Sequence, residues 1–223
     1  MIFAIRPEPG LQSTLRSARE LGLAIIGRPL FEVVPIRWKV PDAAGFDGLL
    51  IGSANAIRHG GDALEALHDL PIHAVGEATA EEARERGFAI ATIGDGGLQQ
   101  VVESLDGEHR LLRLAGTEHV PLALSETITV DTRVVYDVRA LPLTGSDEIS
   151  LRAAEPLVLL HSAAAARHFA AECGRRGLDK TRIGLACIGP RVAEAAGKGW
   201  RVKESAPHPD DAALLALAQK MWQ

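Results

Sequence analysis

Short apolar runs alternate along the chain with segments whose apolar residues recur at helical spacing. IFAI (2–5) passes through RPEPG into LQSTLRSARELG and then LAII (23–26). GLLIG (48–52) leads into SANAIRHGGDALEALHDL, and IHAVG (72–76) into EATAEEARERG. FAIATIG is followed by GLQQVVESL, and RLLRLAG by EHVPLALSE. Strand followed by helix, repeated, predicts the α/β class, a parallel sheet with helices on its faces.

The second half repeats the series. PLVLLHS (156–162) parallels GLLIGS (48–53), LACIGPRVAEAAG parallels IHAVGEATAEEARERG, and VKESAPHPDDAALLALA parallels ATIGDGGLQQVVESL. The opening AIRPEPG finds its partner in LLRLAGTEH, and FEVVPI (31–36) in TRVVYDV (132–138). The order of the copies predicts two lobes, residues 1–34 with 142–223 and residues 38–133. Two strands, at about 31–38 and 132–141, cross between them side by side. Each lobe is of ordinary domain size, and each supplies similar Gly-containing turns to the rim of a cleft, at the strand carboxyl ends where open α/β sheets bind ligands.

Composition narrows the ligand. The chain of 223 residues is 47% hydrophobic and 24% charged, the balance of a soluble globular protein, with only 4% aromatic residues. A net charge of -5 argues against nucleic acid and anionic membranes as partners. It leaves room for an Arg-lined pocket. Cys173 and Cys187 lack disulfide or metal spacing and read as buried thiols. MIFAIRP reads as a strand rather than a signal peptide, and no apolar run reaches membrane-helix length. A cytoplasmic protein is the expectation.

The rim residues have a plain and a functional reading. Gly76 permits a tight turn or close backbone approach, Thr79 with Glu82 fits a capping box, and Pro190 after Gly189 suits a first helical position. Each alone is ordinary strand-to-helix wiring. Ser53 in GSANA and Ser162 in HSAAAA are placed as N-caps. The small residues beside them (Ala54, Ala56, Ala163, Ala164) leave helix N–H groups open to carboxylates or phosphates. Arg6 and Arg113 sit in matching places at strand ends, and Arg191 begins a helix, where a cation is unfavourable. An anionic ligand explains that placement, and surface solvation is the alternative. Tyr136, the sole tyrosine, lies on a crossing strand. Its phenol can donate to a leaving hydroxyl or simply pack. HPDD (208–211) reads as a helix start. Metal, dinucleotide, phosphate-loop and Ser-elbow motifs are missing, so an enzyme of these parts works by positioning, without metal or cofactor.

The ordered series RPEPG, GLLIGSANAI, AVGEATAEEARERGF, VVYDVRAL, VLLHSAAAARHF, CIGPRVAEAAGKGW and APHPDDAALLALA resembles the uroporphyrinogen-III synthase family over nearly the full length. The resemblance implies two flavodoxin-like parallel-sheet lobes joined by a two-stranded crossover ladder, with the active site between them. It implies a lyase that cyclises hydroxymethylbilane to uroporphyrinogen III, inverting the last pyrrole and losing water, with no cofactor. A monomer is implied, with room for a transient handover from hydroxymethylbilane synthase. By the resemblance Tyr136 assists hydroxyl departure. The resemblance also places family site positions on Ser53, Thr79 and Ser162. With the rim residues Arg6, Ala54, Asn55, Gly76, Ala163, Gly189 and Arg191 these are the expected contacts of the polycarboxylate tetrapyrrole. The chain departs from the family at Arg191-Val192, where many members carry Thr, at Gly52, which replaces a common Thr, and at SAAAA, which replaces a Pro-containing turn. The competing reading is a two-lobed cytoplasmic protein that binds a small anion without chemistry.

Overall fold

A computed structural model describes residues 1–153 and 155–222. β1 (Ile2–Ala4), α1 (Gly10–Glu20), β2 (Ile25–Gly27) and β3 (Phe31–Pro35) open the chain. β4 (Gly48–Ile51), α2 (Ala54–His59), β5 (Ile72–Val75), α3 (Glu77–Glu85), β6 (Ile90–Gly94) and α4 (Leu98–Glu103) follow. Next come β7 (His109–Gly116), the long β8 (Ile128–Ala140), α5 (Gly145–Ala153), β9 (Leu157–Leu160) and α6 (Ala163–Arg175). β10 (Gly184–Cys187), α7 (Pro190–Ala195), β11 (Val202–Ser205) and α8 (Asp211–Trp222) complete the series.

The chain divides into two compact units, Met1–Glu32 with Arg139–Gln223, and Val33–Val138. The first holds a parallel sheet in the order β11-β10-β9-β1-β2. Numbered along the chain within the unit this is 2-1-3-4-5, the flavodoxin-like order, with its switch point between β1 and β9. The second sheet runs β3-β8-β7-β4-β5-β6 and is parallel from β8 to β6.

Laid over each other, the sheets match strand for strand: β9 with β4, β10 with β5, β11 with β6, β1 with β7 and β2 with β8. One is a circular permutation of the other. The pairing of FEVVPI with TRVVYDV as repeat partners is therefore corrected, because β2 holds the place that matches β8. β3 instead lies beside β8 as an added edge strand. Ile36 donates to the Val135 carbonyl and Leu141 to that of Leu30, both at 2.9 Å, so the partners run in opposite senses, as a crossover ladder does.

Why these segments are strands is visible in their burial. β4 (GLLI), β9 (LVLL) and β10 (GLAC) are buried at every residue, the mark of parallel strands covered on both faces. Alternate residues feed opposite clusters, Val158 and Leu160 one, Leu157 and Leu159 the other. Edge strand β6 alternates between half-buried and exposed. Cys173 and Cys187 are buried, and burial raises their thiols to about 12 and about 11, so both are inert at neutral pH.

One buried acid ties the end of the return crossing to the first unit. Glu172 on α6 accepts from the Leu143 N–H (2.7 Å) and from Arg175 Nε (2.7 Å) and Nη2 (2.5 Å). The Arg175 bonds, against the opposing effect of burial and helped by Leu143, bring its carboxyl down to about 2. A depressed folded pKa stabilises above the unfolded value, and that stability is lost as pH falls through the folded value. Unfolding titrations of the wild type should therefore lose stability between about pH 4.5 and about 2. Glu172→Gln should flatten that dependence. At pH 7 it should cost near the lower end of about 1.5–3 kcal/mol, since the half-exposed Arg175 is screened by water.

Candidate functional site

In a parallel sheet all strand carboxyl ends face one edge, and both units place their candidate residues there. In the first unit Arg6 follows β1, His161 and Ser162 follow β9, and Gly189 follows β10. Ser162 caps α6, its Oγ accepting from the Ala165 N–H at 3.1 Å. Ala163 is the first residue of α6, and Pro190 stands at the start of α7. Arg191 is exposed beside it.

Arg6 is already engaged. Its Nη1 donates to Thr14 Oγ1 (3.2 Å) and meets Asp211 Oδ1 (3.3 Å), while Thr14 donates to Asp211 Oδ2 (2.7 Å). Sequence reasoning does not find the fourth member, His161, whose side chain is 6% exposed and whose Nε2 lies 2.8 Å from Asp211 Oδ1. Burial lowers the His161 pKa, against the upward pull of Asp211. The neutral ring then donates from Nε2 to the carboxylate and leaves Nδ1 buried without a partner. Burial raises the Asp211 carboxyl, and the bonds from His161 and Thr14 outweigh it. The signal in the sequence is a His closing an apolar strand, together with HPDD, which by itself reads only as a helix start.

In the second unit Ser53 caps α2, its Oγ accepting from the Asn55 N–H at 3.3 Å. Ala54 is buried and Asn55 half-buried behind it. Two expectations are corrected here. Thr79 caps nothing: it is buried as the third residue of α3, which Gly76 caps, and its N–H bonds the Gly76 carbonyl at 3.1 Å. Glu82 pairs with Arg58 at 2.5 Å instead of closing a capping box. The matched glycines also differ. Gly76 has φ +77°, which a side chain would strain, whereas Gly189 is extended at φ -175°, and an added Cβ there would meet nothing within 4 Å.

A cavity of about 390 Å³ opens at the carboxyl ends of β4, β7 and β8 in this second unit. Ser53, Gly97, Leu98, Arg113, Gly116, Val120 and Tyr136 are among its walls, whereas Ala54, Asn55, Gly76 and Thr79 are not. Tyr136 reaches it through a bulge. Register shifts where Ala115 faces Val134 but Gly116 faces Tyr136, leaving Val135 as an extra residue. Ile128 and Val130 pack on one face of the sheet, and the bulge turns Val135 and Tyr136 together toward the other. The ring then lies over Gly116, where a Cβ would fall 2.7–3.1 Å from Cε2, Cζ and the hydroxyl oxygen. His59 lies beside it, ring centroids 6.5 Å apart, its pKa lowered by burial and by Arg58.

The repeat places Arg113 at a strand end, but it lies inside β7 and is 6% exposed. Its Nη1 donates to the Val120 carbonyl (2.9 Å), which holds the loop after β7 over the cavity, and Nε is buried without a partner. Burial lowers the Arg113 pKa, opposed by Tyr136. An Arg within the apolar run RLLRLAG is the signal for it. The loop is latched a second time, to α4, where Gln99 exchanges two hydrogen bonds with Ala123 (2.9 and 3.0 Å). Among the described residues no group of His, Cys, Asp or Glu is arranged to hold a metal ion, and no helix is long and apolar enough to cross a membrane.

Comparison with known proteins gives this arrangement a family. No curated protein matches the chain. Among solved structures, uroporphyrinogen-III synthetase from Helicobacter pylori 26695 is similar at TM-score 0.68 and 18% identity, over 99% of this chain and 98% of that one. A mutant uroporphyrinogen III synthase from the extremely thermophilic bacterium Thermus thermophilus is similar at TM-score 0.56 and 18% identity, over 100% and 99%. At such identity the likeness shows the fold. The family model described as uroporphyrinogen-III synthase HemD matches residues 12–216, nearly the whole length. The chain belongs to the uroporphyrinogen-III synthase family.

Proposed function

We propose that the protein is a cofactor-independent lyase that closes hydroxymethylbilane into uroporphyrinogen III, inverting the terminal pyrrole and releasing water. Family membership supports the reaction, and one observation carries the mechanism: the only tyrosine of the chain is turned by a bulge onto Gly116, in the wall of the cavity at the sheet's carboxyl edge.

The chemistry asks two things of the chain. A hydrogen-bond donor must help the terminal hydroxyl depart, which leaves an azafulvenium carbon. In this reading Tyr136 O–H gives its proton to the departing hydroxyl, which leaves as water. The phenolate is reprotonated by the proton that the pyrrole carbon loses on final reclosure. The substituted carbon of the last ring must then attack before the unsubstituted one, giving a spiro intermediate that fragments and recloses. Holding one near-attack fold of a flexible polyanion is the larger contribution. Ser53, Ala54, Asn55, Gly76 and Thr79 in one unit, and Arg6, Ser162, Ala163, Gly189 and Arg191 in the other, are proposed for substrate contact. Of these, Gly189 is the glycine whose presence neither backbone angle nor packing requires. We read the protein as a cytoplasmic monomer with room for a transient handover of its unstable substrate from hydroxymethylbilane synthase.

The test is isomer analysis. Hydroxymethylbilane is generated in situ with the purified protein, and the oxidised products are separated. Uroporphyrin III should dominate. Isomer I alone, from folded protein and verified substrate, would leave a binder of small anions. Tyr136→Phe should slow formation of isomer III on the order of a hundredfold, the scale of acid assistance. It should leave thermal stability nearly unchanged, because the phenolic oxygen bonds no other group among the described residues. Unchanged turnover would remove the residue from the mechanism. Gly116→Ala should displace the ring. A single fluorotyrosine resonance would report the displacement, accompanied by a loss of rate approaching that of Tyr136→Phe.

A further inference from the structure

The cavity of the second unit is lined by a buried cation that meets no counter-charge among the described residues. Arg113 stands among Leu111, Leu112 and Leu114, all essentially fully buried. Placing a guanidinium there is unfavourable unless a partner meets its charge. What it has is one neutral carbonyl, that of Val120, on Nη1. Among the described residues no carboxylate pairs with it. Glu118, on the same loop and in the cavity wall, is exposed and unpaired with it.

The unpartnered side of the guanidinium is specific. Nε is buried without a partner, and Nη2 has none among the described residues. Nε and Nη2 form the side-on edge that matches the two oxygens of a carboxylate. The same chain shows that edge in use, since Arg175 clamps Glu172 through Nε (2.7 Å) and Nη2 (2.5 Å). The cavity walls include the apolar Val75, Leu98, Leu114 and Leu122, suited to the methylenes of a short acid arm, beside the polar Ser53, Gln99, Glu118 and His119. About 390 Å³ accommodates such an arm and part of the ring that bears it.

We propose that Arg113 is the anchor of a carboxylate subsite in the second unit, taking one acid arm of the substrate side-on inside the cavity that Tyr136 also lines. The proposal rests on the synthase reading for the identity of the substrate, and on the unpaired guanidinium for the chemistry. Binding displaces nothing that Arg113 now holds, because Nη1 keeps Val120. Because Nε is closed to solvent, side-on binding requires a local shift that uncovers it, while Nη1 can keep the Val120 carbonyl.

The experiment uses the full chain with ¹⁵Nε-labelled arginine, the Arg113 signal being assigned through its backbone. Propionate serves as the probe, propionamide as its neutral isostere and inorganic phosphate as a tetrahedral anion. The Arg113 Nε–H resonance should shift saturably with propionate and stay still with propionamide. In turnover, Arg113→Lys should raise KM for hydroxymethylbilane about 10- to 100-fold with kcat nearly unchanged, as loss of uniform binding requires. A resonance indifferent to propionate, one that moves equally with propionamide, or one that answers phosphate alone would overturn the subsite. The wild-type titration decides even if the Lys variant fails to fold. Isomer III formed by a protein whose Arg113 ignores propionate sinks the subsite and leaves the synthase reading. A propionate response without isomer III sinks that reading and leaves the carboxylate site.

Discussion

The constraint on which the rest depends is burial of the parallel strands on both faces. β4, β9 and β10 have no exposed residue. Their backbone polar groups are committed to the ladders, and their side chains to aliphatic clusters. Polar side chains are then favoured at the strand ends, with Arg113 inside β7 as an exception, and parallel pairing brings all carboxyl ends of a sheet to one edge. The turns that hold Ser53, Gly76 and Gly116 in one unit, and Arg6, Ser162 and Gly189 in the other, are where they are for this reason.

Two permuted copies of one sheet have met the same constraint differently. In the first unit the cation after β1 is neutralised at home by Asp211, with Thr14 and the buried His161 completing the network. In the second unit the matching strand β7 carries Arg113, which among the described residues meets only a carbonyl. Arg6 meets a carboxylate within its own unit, whereas Arg113 meets none among the described residues. The bulge opposite Gly116 adds a phenol to the second edge alone. The repeat thus supplies a common scaffold, and the differences between its copies supply the chemistry.

Short-range features are legible in the sequence. Ser53 and Ser162 as caps and Pro190 at a helix start follow from local chemistry that needs no tertiary partner. The strand and helix alternation and the matching of β9 with β4 and β10 with β5 are legible for the same reason. Thr79 misleads because a glycine at positive φ starts the helix earlier than the hydroxyl pattern suggests. The repeat partner of β8 is hidden because likeness of composition does not distinguish β3 from β2. The settings of Arg113 and His161 escape the sequence because their burial comes from strands and loops remote along the chain, such as Val120 folding back over β7 and Asp211 arriving from the last helix. A bulge, likewise, exists only against its partner strand.

The central claim is that the carboxyl edge of the second sheet is a substrate surface, and it is tested most directly by amide and side-chain NMR shifts on adding the oxidised product, uroporphyrin III. The account predicts saturable shifts at Ser53, Arg113, Gly116 and Tyr136, with the opposite ends of β4 and β7, at Gly48 and His109, unmoved. Shifts centred on those opposite ends, or none around the cavity at saturation, would contradict it.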